Sequence, residues 1–310
     1  MPTPSRSEPS RERKARQYVL DGQAIVVPPL APGLHLVATP IGNLGDVTLR
    51  ALTALAGADL IACEDTRVSA KLLGRYGIST PLSPYHDHNA TNARPKLLAR
   101  LAAGDAIALI SDAGTPLVSD PGYKLVRAAH AAGAHVTVLP GSSAVLAALT
   151  VSGLPTDRFF FEGFLPAKAG QRRSRISELR SIPGTLILFE AAHRLGATLS
   201  ELAHGLGPRE AAVCRELTKL HEQVVHGPLT ALARDFAPEG KARGEMVIVI
   251  APPDQQPETS TRDIDAMLHA ALDRLTLKEA VAEVAAGTGQ PRRSVYQRAL
   301  ALNKERELVR

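Results

Sequence analysis

The chain has 310 residues, of which 45% are hydrophobic and 22% are charged, and its formal net charge is +5. This length suits two domains and an appendage, since one domain usually holds roughly 100–200 residues. The composition is that of a soluble globular protein. No apolar run approaches the roughly 20 residues that a membrane span requires, so we expect no membrane association. The basic balance is consistent with a polyanionic partner.

The N-terminal segment is basic and rich in Ser and Pro, and it has no apolar stretch like that of a secretory signal. We therefore predict a disordered basic tail over residues 1–33. Cys63 and Cys214 are the two cysteines of the chain. They are too few for a disulfide framework or a four-cysteine zinc site, and they fit a reducing, cytoplasmic location.

From Leu34 onwards, short β-rich runs alternate with amphipathic segments of helical length. This alternation is typical of an α/β fold with a largely parallel sheet. The predicted strands are 34–39, 58–63, 106–111 and 135–140, and the predicted helices are 46–56, 65–73, 91–103 and 121–132. The sequence therefore predicts a first α/β domain over residues 34–152.

A second α/β domain is predicted over residues 153–251, because Gly153 and Pro155 break the preceding helix before an aromatic run begins. Its predicted strands are 184–190, 211–216 and 245–251, and its predicted helices are 171–181, 194–205 and 228–235. The Pro- and Gln-rich segment 252–262 then predicts a linker.

Residues 263–310 are predicted to form a small helical extension. Its two helical patterns, 277–286 and 292–302, are joined by the short turn GTGQP. This layout is typical of a helix-turn-helix, in which basic side chains of the second helix contact nucleic-acid phosphates. A small helical bundle or a dimerisation element remains the alternative interpretation.

Several common catalytic signatures are absent from the sequence. No G-x-G-x-x-G follows the first strand, and neither G-x-x-x-x-G-K-[ST] nor G-x-S-x-G occurs. The dinucleotide-binding, P-loop and α/β-hydrolase classes therefore lack their key loops. His221, Glu222 and His226 imitate a zinc-protease motif, but the histidines are five positions apart, and such a motif needs a spacing of about four.

Three loops with small and polar residues follow predicted strands, at 39–46, 111–122 and 140–144. Ligands of α/β proteins usually bind at this end of the strands. Pro40 stiffens the first loop, and Gly42 lets backbone amides approach a ligand closely. Asp112 has a carboxylate suited to an amino or hydroxyl group of a ligand, whereas Asp120 is expected to cap the following helix. Ser143 either caps a helix or contacts the ligand.

Together with later segments, these loops give the chain a specific resemblance. It resembles the tetrapyrrole methylase superfamily and, within it, the branch that acts on small-subunit ribosomal RNA. The resemblance covers about residues 34–251 and is carried by LVATPIGNLGDVTLRAL (36–52), CEDTR (63–67), HDHN (86–89), SDAGTPLVSDPG (111–122), PGSSAVLAAL (140–149), EGFLP (162–166), FEAAHR (189–194), RELTKLHE (215–222) and GEMVIVI (244–250). Ala192 departs from the pattern, because many members have proline there.

The resemblance implies a two-domain methyltransferase, usually a homodimer, that holds S-adenosyl-L-methionine in the cleft between its domains. Its implied activity is 2′-O-methylation of a cytidine ribose in the decoding region of 16S rRNA. The positions that match cofactor contacts in relatives are Pro40, Ser111, Asp112, Thr115, Ser143, Ala144, Glu190 and Leu217. A tetrapyrrole methyltransferase and a non-catalytic RNA-binding factor for ribosome assembly remain the alternative functions.

A ribose hydroxyl loses its proton as it attacks a methyl group, so a nearby base would accelerate the reaction. Glu64 and His88 are the preferred candidates among the polar residues of CEDTR and HDHN. The alternative is that Asp65 caps the helix beginning near Thr66 and that the histidines are ordinary loop residues. No third ligand accompanies the two histidines of HDHN, and methyl transfer needs no metal, so no metal site is predicted.

Basic residues in a loop near the expected cleft predict contacts to RNA phosphates, with a solvated helix face as the alternative. The residues expected to contact RNA are Arg67, Lys168, Arg172, Arg173, Arg194, Lys219, Arg292 and Arg293. The chain has no Trp and only 4% aromatic residues. Recognition by shape and phosphate contacts is therefore favoured over a stacking platform.

Overall fold

The computed structural model describes residues 16–237, 243–253, 261–288 and 290–308. The chain divides into two compact units, Met1–Pro253 and Asp254–Arg310. The first unit contains an N-terminal hairpin and two α/β lobes. Among the described helices, none is both long and apolar enough to cross a bilayer.

A β-hairpin forms within the N-terminal segment that the sequence predicts to be disordered. Its strands pair antiparallel and are β1 (Gln17–Leu20) and β2 (Gln23–Val26). Asp21 and Gly22 make the turn with φ values of 49° and 77°, the backbone that a two-residue Asp-Gly hairpin turn requires. Tyr18 is buried in the core of the first lobe. The prediction of disorder is therefore wrong for residues 17–26, while residues 1–15 lie outside the described part of the chain.

The first lobe is built on a parallel sheet with the strand order β5-β4-β6-β3-β7. Its strands are β3 (Gly33–Val37), β4 (Leu60–Cys63), β5 (Leu82–Pro84), β6 (Ala106–Leu109) and β7 (Val136–Leu139). Its helices are α1 (Leu49–Gly57), α2 (Thr66–Arg75), α3 (Ala90–Ala102), α4 (Tyr123–Ala131) and α5 (Ala144–Val151). Every residue of β4 and β6 is buried, because helices cover both faces of such a sheet.

The second lobe has a mixed sheet with the order β11-β10-β12-β9-β8, in which only β8 and β9 run parallel. Its strands are β8 (Phe159–Phe164), β9 (Thr185–Ala191), β10 (Glu210–Arg215), β11 (Gln223–Pro228) and β12 (Glu245–Ile250). Its helices are α6 (Ala169–Leu179), α7 (Leu195–Leu206) and α8 (Leu229–Asp235). The irregularity between Phe161 and Gly163 in β8 is a β-bulge.

A shared hydrophobic cluster joins the two lobes. Ile41 and the α5 residues Val145, Ala148 and Leu149 pack with apolar residues of the second sheet such as Ile187 and Val247. Buried apolar area of this kind is the main stabilising contribution to folding. The shared cluster therefore holds the loops of the first lobe against β9, β10 and β12.

Both cysteines are buried and free. Cys63 ends β4 and Cys214 lies in β10. Burial raises the pKa of the Cys63 thiol and raises the pKa of Cys214 to about 12. Both thiols therefore remain protonated at neutral pH.

The second unit consists of three described helices, α9 (Thr261–Leu272), α10 (Leu277–Thr288) and α11 (Arg292–Leu308). Leu268, Val281, Val284 and Val295 belong to its own hydrophobic core. The two predicted helical patterns correspond to α10 and α11, whereas α9 starts inside the predicted linker. Most of that linker, residues 254–260, lies outside the described residues.

Candidate active site

A cavity of about 610 Å³ lies between the two lobes of the first unit. The first lobe lines it with residues of all three predicted loops, including Ile41, Asp112 and Ser143. The second lobe lines it from β8, β9 and β12, with Phe164, Phe189 and Met246 among the lining residues. Such a concave, mostly apolar space with a few polar groups is typical of a small-molecule site.

Five of the eight predicted cofactor residues line this cavity, namely Asp112, Thr115, Ser143, Ala144 and Glu190. Pro40 and Ser111 line an adjoining cavity of about 480 Å³ that shares Ile41, Asp112, Ala113 and Glu245 with the first. Leu217 is 7% exposed and packs in the cluster between the lobes. The structure thus brings seven of the eight together around connected spaces, and their contacts to a cofactor stay predictions.

Hydrogen bonds link the three loops to one another. The backbone groups of Thr39 and Gly114 exchange two hydrogen bonds, at 2.9 and 3.0 Å. The Thr115 hydroxyl donates to the Ser142 carbonyl at 3.2 Å. Gly114 has a φ of 79°, and a Cβ there would lie 3.2 Å from Ile41 Cγ2. The hydrogen bonds of the protein itself therefore hold the three loops against one another.

The first turn of α5 faces the same cavity through Ser143 and Ala144. Ser143 is the N-cap of α5, and its hydroxyl accepts a hydrogen bond from the Leu146 amide at 3.5 Å. Of the two roles left open for Ser143, the structure shows capping. The free backbone amides of a helix N-terminus favour anionic ligand groups at this edge of the cavity.

Asp112 connects the loop after β6 to the loop after β4. Its Oδ1 accepts a hydrogen bond from the Asp65 backbone amide at 3.0 Å. Asp65 in turn caps α2 by accepting from the Arg67 amide at 2.8 Å. The Arg67 side chain, followed by the Arg67 backbone amide, lowers the pKa of Asp65 to about 2. The alternative interpretation of Asp65 as a helix cap is therefore confirmed.

Glu64 and Asp120 form an acidic cluster with Asp112. Burial raises the pKa of Glu64, and the Asp112 carboxylate raises it further. Burial raises the pKa of Asp120 to about 6, with the Glu64 carboxylate as the second cause. The expectation that Asp120 caps α4 is wrong, because the N-cap of α4 is Gly122 and the helix has no side-chain cap.

The two predicted bases lie in different surroundings. Glu64 is half-buried, and its pKa is influenced by Asp112 and Asp87. His88 is exposed, and its ring centroid lies 6.0 Å from that of His86. Neither residue is part of the cavity lining, although the Asp112 carboxylate of that lining raises the pKa of Glu64. Among the described residues, no group of three or more His, Cys, Asp or Glu is arranged to hold a metal ion.

The Glu190 carboxylate is already satisfied within the protein. Glu190 is 3% exposed, and its two oxygens accept from the Thr198 hydroxyl at 2.5 Å and the Ala191 amide at 2.8 Å. An ion pair to Arg194 at 3.4 Å completes the set. Residues Ala192–Arg194, where the family pattern has proline, form a single 3-10 turn.

Arg172 does not fit the predicted RNA surface. It is 8% exposed, and its guanidinium makes two hydrogen bonds to Glu201, at 2.7 and 2.8 Å. It also donates to the Ala167 and Pro166 carbonyls, at 3.0 and 3.4 Å. Arg172 therefore ties the start of α6 to α7, and its expected role in RNA binding is wrong. Lys168 and Arg173 beside it are exposed.

The other predicted RNA-binding residues are divided between paired and exposed side chains. Arg194 donates to the Leu165 carbonyl at 3.0 Å, and Lys219 pairs with Glu216 at 2.9 Å and Glu245 at 3.2 Å.

The Arg67 side chain is 88% exposed although it pairs with Asp65. Arg292 and Arg293 are exposed at the start of α11.

Comparison with known proteins identifies the class. The family model of the Tetrapyrrole (Corrin/Porphyrin) Methylases matches residues 33–233, more than half of the chain. The chain therefore belongs to this family. A second model, described as the RsmI C-terminal HTH domain, matches residues 258–303.

Two individual relatives and one solved structure are similar to the chain over most of their length. The chain is 50% identical to the "Ribosomal RNA small subunit methyltransferase I" of Mesorhizobium japonicum, over 88% of this chain and 93% of the relative. It is 48% identical to the protein of the same name from Xylella fastidiosa, over 86% of this chain and 98% of the relative. A solved structure of the methyltransferase CobJ superimposes with a TM-score of 0.55 at 19% identity, covering 72% of this chain and 95% of that one, and shows the shared fold.

Proposed function

We propose that this protein transfers a methyl group from S-adenosyl-L-methionine to the ribose 2′-hydroxyl of a cytidine in the decoding region of 16S rRNA. The observation that carries the proposal is a match in two parts. The chain resembles the small-subunit rRNA methyltransferases over nearly their whole length, and it matches both the methylase family and the C-terminal HTH domain. A methylase for small tetrapyrroles would not need that C-terminal unit.

The residues of the cavity fit S-adenosyl-L-methionine. Asp112 would accept hydrogen bonds from amino or hydroxyl groups of the cofactor. The apolar side chains of Ile41, Phe189 and Val247 line the cavity and would contact the adenine ring. The N-terminus of α5 would favour the carboxylate of the methionine portion.

When bound, the cofactor supplies an electrophilic methyl group on a sulfonium with a neutral leaving group. The task of the protein is therefore to orient the nucleophile and exclude water from the cleft. Orientation can contribute roughly 7–11 kcal/mol in favourable intramolecular models. The mutually hydrogen-bonded loops suit this task, because they restrain the cavity walls before binding.

The RNA is proposed to contact exposed basic residues of both units. Lys168, Arg173 and Arg67 are exposed in the first unit, and Arg292 and Arg293 in the second. Each can neutralise a phosphate, which makes binding dependent on salt. The proposal also includes a homodimer acting in the cytoplasm; analytical ultracentrifugation of the purified chain would test the dimer.

The decisive experiment uses small ribosomal subunits from cells that lack this gene. Purified protein and cofactor carrying a labelled methyl group should methylate the 16S rRNA, and mass spectrometry should place the label on a cytidine ribose. A porphyrinogen serves as the competing substrate. Labelling of the porphyrinogen but not of the RNA would instead identify a tetrapyrrole methylase.

A calorimetric titration with the cofactor distinguishes the remaining alternative. A methyltransferase should bind S-adenosyl-L-methionine with one site for each chain. RNA binding without cofactor binding would identify a non-catalytic ribosome-assembly factor. The same preparation serves both experiments, so inactive protein is recognised by the loss of both activities.

A further inference from the structure

The loop between β6 and α4 is held in an unusual conformation near Asp120. Leu117 and Ser119 have φ values of 73° and 61°, and such values cost free energy in residues with a side chain. Gly163, at the bulge of β8, accommodates the loop, because a Cβ there would lie 3.0 Å from Ser119 Oγ. Gly163 therefore leaves room for this strained loop. Asp120, the next residue after Ser119, lines the cavity.

Asp120 is not used for the role that its position in the sequence indicates. It precedes Pro121 and Gly122 at the start of α4, where an aspartate commonly caps the helix, yet α4 has no side-chain cap. The Ser111 hydroxyl donates to the Ala113 and Gly114 carbonyls, at 3.2 and 3.4 Å, and it also lowers the pKa of Asp120. The half-buried Asp120 carboxylate lines the cavity, where a ligand can contact it.

The groups that face Asp120 are acidic. Glu64 follows β4 and Asp112 follows β6, and the carboxylates of both raise the pKa of Asp120. The other titratable residues that line the cavity are Glu190, His193 and Glu245, from β9, the turn after β9 and β12. Burial and this crowding bring the pKa of Asp120 to about 6. A base whose pKa lies near the working pH is ionised in a large fraction of the molecules and still binds a proton well, which suits it to catalysis.

We propose that Asp120 is the catalytic base that accepts the proton of the substrate hydroxyl. The inference rests on the proposed function. In the transfer, the hydroxyl oxygen forms a bond to the methyl carbon while the methyl–sulfur bond breaks, with its electron pair passing to sulfur. The proton of the hydroxyl passes to the Asp120 carboxylate, so that charge and atoms balance.

Four other candidate groups are less suited to this step. Asp112 Oδ1 is engaged by the Asp65 amide at 3.0 Å. Both oxygens of Glu190 accept hydrogen bonds within the second lobe. Glu64 and His88 lie outside the cavity lining. Asp120 combines a place in the lining, partial burial and a carboxyl group that binds no backbone amide among the described residues.

The test compares three variants with the wild-type protein: Asp120→Asn, Glu64→Gln and, as a matched control at the exposed hairpin turn, Asp21→Asn. Single-turnover methylation of small subunits is measured from pH 5 to pH 9. The wild-type rate should rise with pH through a transition near 6. Asp120→Asn should lower the rate roughly 10²- to 10⁴-fold and abolish that transition. Glu64→Gln should move the transition to lower pH.

Two further readouts separate a catalytic from a structural role. Calorimetry gives the cofactor affinity of each variant, and the loss of rate in Asp120→Asn should persist when the cofactor is saturating. The carboxyl carbon of Asp120, followed by NMR in the free protein, should titrate near pH 6 and at lower pH in Glu64→Gln. This titration needs no substrate and no folded Asp120→Asn variant.

The inference is overturned if Asp120→Asn keeps its rate and pH transition, or if its loss of rate is explained by lost cofactor affinity. A free-protein titration near pH 4 that Glu64→Gln leaves unchanged would also overturn it. Failure of the wild-type protein to methylate rRNA would instead refute the proposed function. The two failures can be told apart, because the NMR titration of Asp120 does not depend on methylation.

Discussion

Gly42 and the side chain of Lys219 pack so closely that a Cβ atom on Gly42 would lie 2.5 Å from Lys219 Cγ. Gly42 belongs to the loop after β3, and Lys219 follows β10 in the other lobe. The ammonium group of Lys219 is held by Glu216 and Glu245, so its stem has limited freedom to withdraw. Because Gly42 has no side chain, the loop after β3 and the segment after β10 can lie close to each other at the smaller cavity.

Gly42→Ala should consequently open the cleft. We expect Lys219 to leave its ion pairs or the loop at 39–46 to shift, and the cofactor affinity to fall several-fold. Calorimetry with S-adenosyl-L-methionine measures the change. Gly74→Ala in α2 is the control, because a Cβ at Gly74 meets nothing within 4 Å. Equal affinities for both variants would show that this contact does not shape the site.

Asp112→Ala should weaken cofactor binding by at least about tenfold, which corresponds to about 1.4 kcal/mol. The substitution removes a cavity carboxylate and leaves the Asp65 amide without its acceptor. Asp112→Asn keeps an acceptor oxygen for that amide, so it separates the effect of charge from that of loop position. Unchanged affinity in both variants would contradict the placement of Asp112 at the cofactor.

Asp120 should make the stability of the protein dependent on pH. Its folded pKa of about 6 exceeds the ordinary value of 3.8, so the folded state binds this proton more tightly than the unfolded state does. The resulting stability is present below about pH 4 and is lost as the pH rises through about 6. Asp120→Asn should therefore raise the free energy of unfolding at pH 7.5, on the order of 1–3 kcal/mol, and less at pH 4.5.

Urea unfolding at the two pH values measures this difference, with Asp21→Asn as the control. A variant that is less stable than the wild-type protein at pH 7.5 would show that the Asp120 carboxylate makes favourable contacts in the folded state. The same experiment would then argue against its raised pKa.

Arg172 and Arg173 should differ sharply although they are neighbours. Arg172→Gln breaks a nearly buried ion pair with Glu201 and should cost about 3 kcal/mol of stability. Arg173→Gln should leave the melting temperature unchanged and weaken RNA binding, with a smaller dependence of affinity on salt. Thermal unfolding and filter binding at two salt concentrations measure both effects. RNA binding that depends on Arg172 but not on Arg173 would reverse this assignment.

The helical extension should contribute to RNA binding but not to cofactor binding. Arg292→Gln combined with Arg293→Gln in the full chain should reduce rRNA affinity and lower its log–log salt slope by about 1–2. Lys278→Gln on α10 controls for a general loss of positive charge. Affinity that is unchanged by the double substitution, together with unchanged affinity after removal of residues 263–310, would assign the extension a structural role.

The sequence predicts the strands that are buried on both faces more reliably than those that are not. β4 and β6 are continuous apolar runs and were expected within two residues of their observed bounds. β5 has three residues, and β11 is only half-buried along its length, so neither shows a strong pattern. The Asp-Gly turn of the N-terminal hairpin was a readable signal that the surrounding basic composition obscured.

The sequence also predicts some residues of the candidate site better than others. The three loops were identified because they follow strands, and a parallel sheet brings such loops to one edge. The role of Asp120 was not predictable, because the local capping rule points to α4, whereas the conformation of the loop depends on its contact with Gly163 in the other lobe. Arg172 was misassigned for a related reason, since its partner Glu201 is 29 positions away along the chain.

The burial of Cys63 and Cys214 has a practical consequence for experiments on this protein. Thiol reagents react with the thiolate, and neither native cysteine presents one to solvent at neutral pH. A cysteine introduced at an exposed position of α6 and another on α11 could therefore be labelled with fluorophores without removing the native residues. Energy transfer between such labels would report the distance between the two units as RNA and cofactor bind.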